Sequence, residues 1–331
     1  MDSTLPGPRK PRFREAVRTT ISGGEAELSL GDRRCAFAFS PEDEPGIARL
    51  FADLGAGGRS LDDLIARSRE IGEQIPALLQ DFDRLRLLTD SEPPATTGVL
   101  SGAQLYREVR RLADRVIGRV ARSTFTTALR DGRATRQQMI GYALEYFWIV
   151  KSAPGLIGPA LSTAHTAGER ALIQDFLRSE LGHDRFLGRA LEAAGVTPAE
   201  MEAHQPLPAT FALCASLGVY ARQHPLSFKA SLFLFERAQP AFIDAFDDRC
   251  RALGLPAAFH EPLRAHADIN EDHDHEDISR ALMAFDEAIA PEACTVVKRH
   301  VALMVETMVQ QEEQILAWYG QDRDRVARVF N

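Results

Sequence analysis

The stretch His266-Ala267-Asp268-Ile269-Asn270-Glu271-Asp272-His273-Asp274-His275 decides how the larger part of this chain is read. On a helix, positions 266, 270 and 273 stand at i, i+4 and i+7, so two imidazoles and an amide share one face. The plainer explanation is a solvated helix end with histidine as filler. That explanation is weakened by crowding, because three of the nine histidines of the chain fall within these ten residues.

Working outward, Glu236 closes the run Ala230-Ser231-Leu232-Phe233-Leu234-Phe235-Glu236, which is apolar nearly all round. A helix of that composition is buried, and a carboxylate inside it needs a partner or a metal. Lys229 lies two turns earlier and is the candidate ion partner. Farther toward the N-terminus, Glu180 and His183 occur in Ser179-Glu180-Leu181-Gly182-His183, within a helix expected over about 168–194. Three residues apart, they project from one face, although such a pair is common by chance on solvent-facing helices. Glu145, in Ala143-Leu144-Glu145-Tyr146-Phe147-Trp148, is a further carboxylate among apolar residues. It is a candidate ligand or a hydrogen-bonded support for ligands; a hydrogen bond to another helix is its plainer role.

Together these groups offer carboxylate and amide oxygens and three imidazoles. That mixture suits Fe(II) or Mn(II) better than a thiolate-preferring metal and leaves positions open for small ligands. A structural zinc would need only four ligands.

The helices that carry them form a mainly α domain over 103–331, with helices expected near 103–131, 134–152, 168–194, 207–222, 226–252, 260–286 and 291–319. Before it, residues 91–102 read as a linker, since Ser91-Glu92-Pro93-Pro94-Ala95-Thr96-Thr97-Gly98 holds no large apolar residue. Residues 1–90 read as a smaller α+β, winged-helix-like domain. Ala26–Leu30 and Arg33–Phe39 alternate around Gly31-Asp32 as a β-hairpin. Three short helices follow, carrying Ile47, Leu50, Phe51 and Leu54; then Leu61, Leu64 and Ile65 behind an Ser60 cap; then Ile75, Leu78, Leu79, Phe82 and Leu85, in a helix taken as Ile75–Leu88.

Two resemblances rest on these residues. The ordered set Glu180, His183, Glu236, His266-x-x-x-Asn270-x-x-His273 resembles the haem-oxygenase-like diiron oxidases and oxygenases over roughly residues 105–320. The resemblance implies a seven-helix fold, a non-haem site of two Fe(II) ions, and O2 as co-substrate. It also implies ligation by Glu180, His183, Glu236, His266 and His273. Asn270 stands where that family has a carboxylate, which implies a weakly held second iron, or one iron. Asp272 and Asp274 point to other faces of a regular helix.

The N-terminal order, with LFADLGAGGRSLDDLIARS, resembles the peptide-recognition domains related to the pyrroloquinoline quinone peptide chaperone over about residues 15–90. That resemblance implies that the domain binds the leader of a ribosomally made precursor peptide, which the helical domain oxidises. A winged-helix dimerisation module is the plainer role, so a homodimer stays open. Two further readings remain: a small-molecule, amino-acid-like substrate with a structural N-terminal domain, or a metal-free peptide-binding scaffold.

Composition narrows the rest. Over 331 residues, 45% hydrophobic and 26% charged residues exclude a largely disordered chain. A net charge of −8 leaves no broad basic surface for nucleic acid or anionic membrane, and Glu73, Asp81 and Asp83 oppose phosphate binding on the third helix. Cys35, Cys214, Cys250 and Cys294 lie far apart, so neither a disulfide framework nor a cysteine zinc site is expected. No apolar run reaches membrane-spanning length, and no signal sequence is visible, so a cytoplasmic protein is expected. A thiaminase-like reaction needs an activated cysteine, whereas Cys214 lies in an apolar stretch. A haem enzyme needs a proximal histidine early in the helical domain, and 100–164 holds none. No G-x-S-x-G marks a serine nucleophile.

Overall fold

The computed structural model describes residues 8–14, 16–30, 33–91, 98–120, 124–236, 240–272, 278–321 and 324–330, excepting the side chains of 33, 120 and 266–272. The chain divides into two compact units, Met1–Gln104 and Leu105–Asn331.

In the first unit, β1 (Pro11–Phe13), β2 (Arg18–Ser22), β3 (Glu25–Leu30) and β4 (Arg33–Ala38) precede α1 (Glu44–Ala56), α2 (Leu61–Arg67), α3 (Ile75–Arg84) and β5 (Leu88–Asp90). The hairpin forms as expected, β3 pairing with β4 in a register that sets Leu28 opposite Cys35. β2 extends it to an antiparallel sheet of order β2-β3-β4. The alternation of β3 buries Ala26 and Leu28 completely, against Ile47, Leu50 and Leu54 of α1. Ser60 caps α2 in a reciprocal capping box with Asp63.

The third helix is shorter than expected. It stops at Arg84 because Arg86 takes a left-handed conformation, φ 62°. The Arg86 N–H then bonds the Asp83 carbonyl and the Leu87 N–H the Phe82 carbonyl, a Schellman closure with arginine where glycine is usual. Leu88 therefore belongs to β5, which pairs with β1.

The second unit is helical: α4 (Gly102–Val120, beginning just before the division), α5 (Phe125–Arg130), α6 (Arg136–Ile157), α7 (Ala167–Glu180), α8 (His183–Ala193), α9 (Pro198–Ala203), α10 (Pro208–Gln223), α11 (Pro225–Ser231), α12 (Phe233–Glu236), α13 (Pro240–Ala252), α14 (Ala257–Asp272), α15 (Ile278–Met283) and α16 (Pro291–Tyr319). Among the described residues, three of the expected long helices are broken. The one over 168–194 ends at Glu180 and restarts at His183 across Gly182, whose φ is 90°. The one over 226–252 is interrupted at Leu232, between α11 and α12, and the one over 103–131 is interrupted at Thr124, which caps α5; within the one over 260–286, residues 273–277 lie outside the described residues.

α6 is the central element and packs against α8, α10 and α16. Its apolar face contributes Met139, Ile140, Ala143, Leu144 and Val150 to the core. At Gly141 the ring of Tyr319 lies so close that a β-carbon would stand 2.2 Å from it. No helix among the described residues is long and apolar enough to cross a membrane.

Candidate metal centre and cavity

The site is built around Glu145, which is fully buried one turn beyond Gly141. The Tyr319 hydroxyl donates to Glu145 Oε1 at 2.6 Å, and the Leu207 N–H donates to Oε2 at 3.0 Å. Gly141 leaves room for the ring, so Tyr319 can lie on α6 and reach the carboxylate one turn on. His204 stands behind, its Nε2 3.4 Å from Oε1. His204 Nδ1 accepts the Arg328 N–H at 3.1 Å, which assigns the neutral-ring proton to the nitrogen facing Glu145. Burial and the neighbouring carboxylate push the Tyr319 phenol well above its usual value, so it stays a donor. Glu145 is thus tied by hydrogen bonds to other parts of the fold and also lines the cavity.

That cavity, of about 180 Å³, lies along α6. In the measure by which one water needs roughly 10–15 Å³, it holds far more than a water. Its polar groups are Tyr142, Glu145, Tyr146, Glu180, Glu236 and Gln311. Glu180 and Glu236 are both buried and arrive from different elements, the last residue of α7 and of α12. His183 does not line the cavity; it sits beside Glu180, Nδ1 3.7 Å from Oε2. The pair therefore stays together although the helix between them is broken.

Lys229 does not partner Glu236. Its ammonium, buried, lies 3.1 Å from Glu169 Oε1 and 2.5 Å from Asp286 Oδ2, so two carboxylates from distant parts of the chain neutralise it. It anchors α11 instead. The side chains of His266 and Asn270, and His273 altogether, lie outside the described residues. The backbone at 266 and 270 belongs to α14, which packs along α8 and sends Leu263 to the cavity wall. Among the described residues, no three of His, Cys, Asp and Glu come together as a ready metal cluster.

Sequence reasoning missed Tyr142 and Tyr146. Burial pushes the Tyr146 phenol well above its usual range, and Tyr142, Glu236 and Glu180 push the same way, so the ring stands near both carboxylates. Tyr142 stacks on Phe125, ring centres 4.9 Å apart, and also lies near Phe242 and Phe246. A usable signal was present: 142, 145, 146 and 149 recur at helical spacing on one face of α6. Cys214 is not activated; burial, with Glu145 nearby, pushes its thiol up to about 12.

A family model described as "Iron-containing redox enzyme" matches residues 141–308. The chain belongs to that family. The match spans α6 to the middle of α16 and contains Glu180, His183, Glu236 and the 266–273 segment. Solved structures agree on the haem-oxygenase-like fold. A domain of unknown function with a heme oxygenase-like fold from Shewanella denitrificans OS217 superposes with TM-score 0.54 at 17% identity, covering 67% of this chain and 94% of that one. A TenA homolog from Pseudomonas syringae pv. tomato str. DC3000 gives 0.51 at 14% identity, covering 69% and 99%. At these identities the likeness concerns fold alone. No curated protein matches the chain.

Proposed function

We propose that the helical unit is a non-haem iron oxidase or oxygenase that uses O2. In this reading Glu180, His183 and Glu236, together with His266 and His273, hold up to two Fe(II) ions, and Asn270 leaves the second weakly held. One observation carries it: Glu180 and Glu236, from separate helices, are buried at one cavity in a chain of the iron-containing redox family. The donors fit the metal, because carboxylate oxygen and imidazole nitrogen are the ligands that Fe(II) takes, and no thiolate lines the cavity. Position 266 follows Leu263 by about one turn of α14, which brings that backbone toward the same place. When bound, iron supplies O2 activation.

The protein's own part is positional. Tyr146 lines the cavity with Glu180 and Glu236, and burial, with both carboxylates adding to it, raises its phenol well above the usual range. The Tyr319–Glu145 bond fixes the floor of the cavity, and the aromatic side chains around Tyr142 limit access of water.

The same proposal makes the substrate a ribosomally made precursor peptide. β4 is one of the two edges of its sheet, so its outward N–H and C=O groups can accept an added strand. Phe82 of α3 lies against Phe37 of β4, ring centres 6.1 Å apart, so the helix is near enough to that strand to form the second wall. Holding a leader there raises the local concentration of the reactive segment.

Anaerobic ferrous titration tests the iron reading. Wild type should take up to two ions per chain, and Glu236→Ala and Glu180→Ala should lose most of that binding. An iron-free wild type, or unaltered variants, would refute it. A truncation beginning near Gly98 should keep iron and lose most activity on the full precursor; undiminished activity would remove the peptide.

A further inference from the structure

The cavity has two chemically different ends. α10 runs beside α6 in the same direction, since the Leu207 N–H reaches Glu145 at one end and Gly218 faces Leu156 at the other. Tyr142, Glu145 and Tyr146 share one level of α6, Glu180 and Glu236 act on the Tyr146 phenol, and the Gln311 amide donates to Thr210 of α10, one turn before Leu213. Beyond that level the lining is hydrocarbon: Ile149, Ala153, Leu156 and Ile157 of α6, and Leu213 and Leu217 of α10. From Ile149 to Ile157 the arm follows α6 for about 12 Å at the helical rise.

We propose that this arm takes a slender hydrocarbon chain of the substrate, whose reacting end lies at the carboxylates and tyrosines. A peptide backbone is a poor occupant. Its N–H and C=O groups would lose water and find no partners among these side chains, while the backbone of α6 and α10 beside the arm is bonded within the helices, save the Val150 carbonyl, which Pro154 leaves without its usual donor. Single charged side chains are rejected for the same reason, as no ion partner among the described residues lines the arm. A chain of methylenes loses nothing polar on entry and gains from each group buried. This rests on the oxidase reading only for what happens at the polar end. Occupation of the arm does not require iron.

The test uses the full-length, iron-free protein and neutral probes, the straight-chain alcohols butanol, hexanol, octanol and decanol, titrated calorimetrically. Affinity should rise roughly fourfold per added methylene and level off once the arm is filled. Ala153→Phe, which occupies the arm, should bring octanol down to the affinity of butanol while leaving ferrous binding intact. Leu217→Trp should do the same from the α10 side, should the first variant fail to fold. Equal affinities across the series, or octanol binding unaffected in a folded blocking variant, would overturn the proposal. Octanol compared with a short peptide bearing an octyl side chain then shows whether the chain arrives free or carried on a peptide, the tighter binder naming the source. If iron fails to bind while the chain-length series holds, the oxidase reading falls and this one stands.

Discussion

Glu145 is fixed by partners 62 and 174 residues away, the Leu207 N–H and the Tyr319 hydroxyl. Its sequence context told that it was buried and in need of a partner, but not which. Lys229 is the opposite lesson. Spacing along its own segment suggested Glu236, whereas Glu169 and Asp286, brought in by tertiary packing, neutralise it. Local periodicity finds the buried charge and is blind to counter-ions from elsewhere. Tyr319→Phe should cost about 1.5–3 kcal/mol, the usual range for a bond to a charged acceptor. Gly141→Ala should cost about 1–3 kcal/mol by forcing Tyr319 away. Urea denaturation of both and of the double variant should give a sum smaller than additive, because each breaks the same contact. The cysteines set an alkaline limit. Cys214 and Cys250 sit near 12 in the fold against 9.0 when unfolded, both raised chiefly by burial. Their raised values contribute stability that is complete below pH 9 and is lost as pH climbs toward 12. Denaturation midpoints should therefore fall across that window, less steeply in Cys214→Ala, and neither thiol should alkylate in the native protein below pH 9.

At the scale of elements, the apolar periodicities reported where helices are and missed where they break. The Glu180–His183 segment shows why: Gly182 is tolerated inside a helix pattern, and only its φ of 90° reveals a stop. The hairpin was legible because two alternating runs flank a turn dipeptide, whereas β1 and β5, three residues each, carry no readable pattern. Replacing Gly182 tests the break directly. Gly182→Ala should destabilise by about 1–2 kcal/mol, the cost of a β-carbon in the left-handed region, with Gly182→Asn less affected. If Glu180 and His183 serve one centre, ferrous affinity should fall in the same order, as read by anaerobic titration.

For the whole molecule, the haem-oxygenase-like fold was legible because many spaced polar positions had to agree, a stronger constraint than any one helix. Of the cavity's polar lining, the carboxylates could be singled out in the sequence and the tyrosines, which look like ordinary core aromatics, could not. The segment after α16 adds a feature the sequence did not advertise. The Gln205 N–H bonds the Arg328 carbonyl, the Arg328 guanidinium donates to the Pro206 carbonyl at 2.6 Å, and it also lies over Trp318 and Phe330. Ending the chain after Gly320 removes these contacts and the support of His204. The midpoint of thermal unfolding should drop by several degrees, at about 2–4 °C per kcal/mol for a unit of this size.

The Tyr319–Glu145 bond also sets an order of events during synthesis. Ribosomes add about 5–20 residues per second, so α6 emerges roughly ten to thirty-five seconds before its phenol partner. Through that interval the carboxylate at the heart of the bundle lacks one of its two hydrogen-bond donors. The N-terminal unit waits about half as long, since its farthest pairing among the described residues, Ser91 with Lys10, spans 81 residues. The nascent helical half is thus the one that a folding chaperone would need to shelter.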